Sequence, residues 1–131
     1  MTFVMLDYHG HTYELTDAAA AGSEFDEQAA GITSTGKSGQ VILFQPASGP
    51  PHLRVDIDID AGRAAVRWLP DDSYAVELPR AAPLSVLASA DGGIVEVPAE
   101  LARVSAATAR RLVTEYVSSG RRPASVSWTQ P

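Results

Sequence analysis

The segment from Ser105 to Trp128 constrains this chain more than any other, because it combines a capped amphipathic helix, a forced stop and a short strand. Ser105 offers a side-chain oxygen to the free N–H groups of the first helical turn. Ala109, Leu112, Val113, Tyr116 and Val117 recur at three- and four-residue spacing and therefore share one face. Gly120 can take the left-handed conformation that ends a helix, and Pro123 blocks its continuation. Ala124, Val126 and Trp128 then alternate with Ser125 and Ser127, the period of a strand buried on one side. At roughly 1.5–3 kcal/mol for each fully buried side chain, the helix face is the largest contiguous core contribution visible in the sequence. The expected fold is α+β: a mostly antiparallel twisted sheet built from hairpins. The C-terminal helix packs on one face with Trp128 under or beside it, and a shorter N-terminal helix completes the set.

The rest of the chain reads as hairpins and bends. Phe3 to Tyr8 and Thr12 to Leu15 flank the turn at His9-Gly10. Thr16 or Ser23 can cap a helix that runs to about Ala30, and Ser23 with Asp26 imitates a capping box. Ile32 to Gly39 is loop, and Val41 to Phe44 is a buried strand. Leu53 to Asp60 and Arg63 to Leu69 alternate around Ala61-Gly62, with a further strand at Ser73 to Leu78. Leu84 to Ala88 and Ile94 to Val97 flank Asp91-Gly92-Gly93, and prolines break the pattern at 46–51 and 79–83.

A length of 131 residues with 45% hydrophobic content suits a single domain, 1–131, with an ordinary core. No apolar run approaches the roughly 20 residues of a membrane span, and the N-terminus lacks the basic and apolar regions of a secretion signal. With no cysteine there is no disulfide framework, thiolate nucleophile or cysteine metal site. A cytoplasmic location is expected. The net charge of −6 is unevenly spread. Residues 1–30 carry Asp7, Glu14, Asp17, Glu24, Asp26 and Glu27 with no lysine or arginine, whereas residues 101–131 carry five arginines and only Glu115. Such a field repels nucleic acid and attracts a basic protein surface.

Several chemical motifs fail on context. Gly31 to Ser38 matches the phosphate-loop pattern at every letter, with Gly36, Lys37 and Ser38 in place. That loop requires a strand before it and a helix after it; here a helix leads in and a strand leads out. Asp56, Asp58, Asp60 and Gly62 resemble the start of a calcium loop, yet Ala61 and Arg67 stand where glycine and a bidentate glutamate are needed. The interleaved Val55, Ile57 and Ile59 instead imply a strand whose other face carries the aspartates in a row, about 7 Å apart. His9 and His11, with His52 far off in sequence, lack the further ligands of a zinc site. No nucleophile elbow is present. Arg110-Arg111 and Arg121-Arg122 suit a helix's outer face and its C-terminal dipole, and Trp68, Tyr116 and Trp128 suit core anchors. No catalytic residue, cofactor or metal is expected.

Val97-Pro98, the capped helix ending Tyr116-Val117, then Ser119-Gly120-Arg121-Arg122-Pro123 and Val126-Ser127-Trp128 resemble the immunity proteins of bacterial polymorphic toxin systems, in particular the group called immunity protein one. The strand pair, helix and hairpins before them, including the acidic turn at Asp60 to Gly62, follow the same order. The resemblance implies a non-enzymatic cytoplasmic antidote that binds a cognate toxin domain, typically a deaminase acting on nucleic acid. An acidic inhibitor can occupy the basic substrate groove of such a toxin. The expected docking residues are Asp56, Asp58, Asp60, Asp71, Asp72 and Glu77. The alternative is a small ligand-binding or regulatory accessory domain, with a pocket between the loops 46–51 and 79–83.

Overall fold

The computed structural model describes residues 2–131. Along the chain run β1 (Phe3–Leu6), β2 (Thr12–Leu15), α1 (Ala18–Ala29), β3 (Gln40–Pro46), β4 (Leu53–Asp58), β5 (Arg63–Trp68), β6 (Ser73–Val76), β7 (Leu84–Leu87), β8 (Ile94–Val97), β9 (Val104–Ser105), α2 (Ala106–Ser119) and β10 (Ser127–Thr129). The strands form one sheet in the order β10-β6-β5-β4-β3-β1-β2, with β7 and β8 attached at β3 and β9 at β5. Pairing is antiparallel except for one parallel bridge, Gln40 to Leu87. The architecture is the α+β arrangement that the hydrophobic periods imply.

Alternation along each central strand sends side chains to two different cores. Phe3, Met5, Ile42, Phe44, Leu53, Val55, Ile57, Ala64 and Val66 face the helices. There they meet Ala21, Phe25 and Ala29 of α1 and the whole apolar stripe of α2 (Ala109, Leu112, Val113, Tyr116 and Val117), all buried. The opposite face is also covered. Val41 and Ala65 pack there under Leu84, Val86, Val97 and Ala102, so the β7–β8 hairpin and the segment leading to β9 form a second lid. The face that carries Asp56 is therefore covered, which the alternation of Val55 and Ile57 with Asp56 and Asp58 does not reveal. Strand alternation separates the two sides of a sheet, but only tertiary contacts decide whether the second side is wet.

Several local readings need correction. The cap of α1 is Asp17, whose carboxylate accepts from Ala20 N at 2.8 Å; neither Thr16 nor Ser23 serves. Helix α2 begins and ends as the sequence implies. Ser105 Oγ accepts from Thr108 N at 3.1 Å, and Gly120 adopts φ 71°. The last strand is displaced from Ala124 and Val126 to Ser127–Thr129. Trp128 still packs against the helix-side core, its indole donating to Pro123 O at 2.7 Å. β9 carries no alternation to betray it. It forms because β6 pairs only with Trp68 and Arg67 and leaves the edge of β5 beyond Tyr74, which frees Arg63 and Ala64 to pair with Ser105 and Val104.

Candidate functional site

Most of the expected docking carboxylates are held by donors within the molecule. Asp56 is only 2% exposed, lies opposite Val41 and Ala65, and accepts from Arg54 Nε at 2.9 Å. Burial raises its pKa above the ordinary carboxylate value, against the opposing pull of Arg54 and Arg67. A carboxylate in that position cannot touch a partner, so Asp56 is corrected from a docking residue to a buried ion-pair member. Asp58 accepts Ser38 Oγ at 2.5 Å and the backbone N–H groups of Asp60 and Ala61, and so ties the 31–39 loop to the β4–β5 turn. Asp60 accepts the same Ser38 hydroxyl at 3.1 Å but remains exposed. The phosphate-loop match is therefore a turn with α1 before it and β3 after it, its serine turned inward onto carboxylates.

The second group of acids is likewise engaged. Asp71 accepts both the backbone N–H and the hydroxyl of Ser73 and pairs with Arg122 at 3.1 Å. The hydroxyl of Ser73, ahead of its backbone N–H and the Arg122 charge, holds Asp71 below the usual carboxylate range. Asp72, at φ 56°, pairs with Arg67. Glu77 reaches across to the start of α2, where Thr108 Oγ1 and Ser105 N donate to it at 2.5 and 2.9 Å. It is a long-range cap that satisfies donors the helix leaves free.

Glu77→Ala is expected to cost about 1 kcal/mol. The hydrogen bond from Thr108, followed by that from Ser105, lowers the pKa of Glu77 below its ordinary 4.5. Its contribution is therefore complete above pH 4.5 and is lost as pH falls through the lowered value. Thermal melts of parent and variant should differ at neutral pH and converge as the medium is acidified well below pH 4.5.

Once internal partners are assigned, the surplus negative charge proves to be localised. Among the described residues, Glu14, Glu24, Glu27, Asp91 and Glu96 are exposed or half-exposed and have neither an ion pair nor a side-chain hydrogen bond. Glu14 lies on β2, Glu24 and Glu27 on α1, and Asp91 and Glu96 on the β7–β8 hairpin. The β1–β2 hairpin and the tip of the β7–β8 hairpin meet at one border of the sheet, and α1 lies beside β2 on the helix-side face. β1 and β7 both pair with the edge of β3 that β4 leaves open, and Ala90 N donates to Tyr8 O at 2.9 Å across the junction. Asp7 makes the β1–β2 turn rigid by accepting from His9 N, His11 N and Tyr13 OH at 2.9, 3.0 and 2.7 Å. The field at this border is felt by Tyr13, whose phenol is pushed up to about 12. The Asp7 hydrogen bond contributes most, then burial and the charges of Asp7, Glu24 and Glu27. Sequence reasoning noted the acid-only first 30 residues but did not single these positions out. The available signal was the absence of any nearby arginine.

Other chemistry finds little support in the geometry. Among the described residues, no three His, Asp or Glu side chains are grouped to hold a metal ion, and no helix is long and apolar enough to cross a membrane. A cleft of about 440 Å³ is lined by Lys37, Asp58, Arg63 and residues 81–85. It is open and mixed in charge, involves the 79–83 bend but not 46–51, and lacks the enclosed apolar form of a small-molecule site. Among curated proteins none matches the chain. The family model described as Immunity protein Imm1 matches residues 14–130, nearly the whole length, and the chain belongs to that family of immunity proteins.

Proposed function

We propose that this protein is a cytoplasmic immunity protein that binds a cognate toxin domain, a nucleic-acid-acting deaminase, and neutralises it by occluding a basic active-site groove. The observation that carries the reading is the family match over residues 14–130. The charge distribution supports its finer part. A groove built for a polyanion is lined with cations, and the border of unpaired carboxylates formed by Glu14, Glu24, Glu27, Asp91 and Glu96 complements it. Asp60, Asp71, Asp72 and Glu77 remain at the surface and add to that field while they hold their turns, whereas Asp56 acts only from the interior. No bond is made or broken by this chain in that role. Binding alone excludes the substrate.

The test is growth rescue and co-purification with a deaminase-type toxin domain drawn from the reading frames that adjoin this chain's own. Co-expression should restore growth and the two proteins should elute together. Replacing Glu14, Glu24 and Glu27 by lysine should slow association by about tenfold or more at low salt and flatten its salt dependence. Persistence of toxicity with no detectable complex would overturn the reading. An unchanged rate and salt slope in the triple variant would place the electrostatic contact on another surface.

A further inference from the structure

We infer that the free edge of β8 is a strand-pairing site, which accepts an extended segment of the toxin domain carrying lysine or arginine among β-branched residues. This rests on the function proposed above and adds the mode of contact. Among the described residues β8 pairs only with β7, so its other edge presents unpaired backbone N–H and C=O groups. The two ends of the main strand path are blunted by polar side chains, since β2 exposes Thr12 and Glu14 and β10 exposes Ser127 and Thr129, and β9 is only two residues long. β8 is different. It exposes Ile94 at 49% and Val95 at 40%, two of the four large apolar residues exposed among the described residues, and the other two lie in loops. Because neighbouring strand residues point to opposite sides, an added strand would cover one apolar side chain on each face. Main-chain bonds would supply affinity and the alternating side chains selectivity.

Charge chooses the occupant. Glu96 lies opposite Ser85 on β7, with no cation to answer it, and Asp91 stands at the turn of the same hairpin. A cationic residue opposite Glu96 completes a cross-strand pair. A second copy of this chain would instead bring together two molecules of net charge −6.

The experiment uses the full chain and a catalytically inactive form of the toxin domain that the growth-rescue test identifies. Amide hydrogen exchange should slow by about tenfold or more at the outward N–H groups of Ile94–Val97 in the complex, and not at Ser127–Thr129. Glu96→Lys and Ile94→Asp, both at exposed positions and checked for unchanged melting, should weaken binding by about tenfold or more each, and Glu96→Gln by less. If the proteins associate but β8 amides exchange as before and both variants bind like the parent, the pairing site is disproved and the immunity function stands. If they do not associate, both fail. Protection that instead rises with the concentration of the isolated chain, together with a dimer in sedimentation, would overturn the toxin strand in favour of self-pairing.

Discussion

Tyr116→Ala is expected to cost about 3–5 kcal/mol of stability and to lower the melting temperature by about 10 °C or more. Tyr116 is fully buried in the last turns of α2, where its ring meets Phe3, Trp68 and His52 edge-on at 5.0, 5.6 and 6.0 Å. Its hydroxyl lies 2.9 Å from His52 Nδ1, and burial pushes the phenol upward, so it stays neutral at any working pH. Truncation to alanine removes a ring that joins β1, the loop before β4, and β5 to one helix. The neighbours belong to a sheet and cannot collapse into the space. Tyr116→Phe keeps the ring and loses only the hydroxyl contact, at about 0.5–1.5 kcal/mol. Urea unfolding should show the alanine variant far below the phenylalanine one. Similar midpoints would mean that the polar contact dominates and the ring packing does not.

The second large effect is steric and sits at the other end of the sheet. A Cβ placed on Gly39 would lie 2.0 Å from the carbonyl oxygen of Ser85 and 3.0 Å from its carbonyl carbon. Both are backbone atoms of β7, which Leu87 N fastens to Gly39 O at 2.9 Å. Neither strand can yield without breaking that bridge, so Gly39→Ala is expected to cost about 1–3 kcal/mol, and Gly39→Val more. Displacing β7 carries β8 with it, so binding to the toxin domain should fall together with stability. Gly22→Ala is the contrasting control. The added methyl there meets only the tip of the Arg110 side chain, at 2.6 Å, and a guanidinium can swing aside. Alanine also favours the helix by about 1 kcal/mol over glycine. Urea midpoints should separate the two variants clearly. A Gly39→Ala protein as stable as the parent would show that β7 floats freely over the sheet.

The two helices illustrate how far local reasoning reaches. α2 was legible to the residue at both ends because Ser105, the spaced apolar face and Gly120 act through bonds within a turn or two of one another. α1 was legible as an element but not in its start. Gly22 looks like a weakness in isolation; in the fold it is buried, and Arg110 of α2 passes close by on its way to pair with Asp26 at 2.9 Å. The hairpins were likewise legible from their period and turn residues, while β9 was not. A two-residue strand has no period, and it exists only because β6 peels away from β5.

The candidate site divides along the same line. Hydrophobic spacing along the chain determined that strands would alternate around β4 and that α2 would cover the sheet, since each depends on near neighbours, and the sequence alone shows that residues 1–30 carry acids without lysine or arginine. Which carboxylates stay free was decided only by the tertiary structure. Asp71 meets Arg122 across 51 positions, Glu77 meets Thr108 across 31, and Ser38 meets Asp58 across 20. The β7–β8 hairpin meanwhile closes over Asp56. A charge is satisfied by whatever lies within a few ångströms in space, and strand order, which no local period encodes, sets that distance.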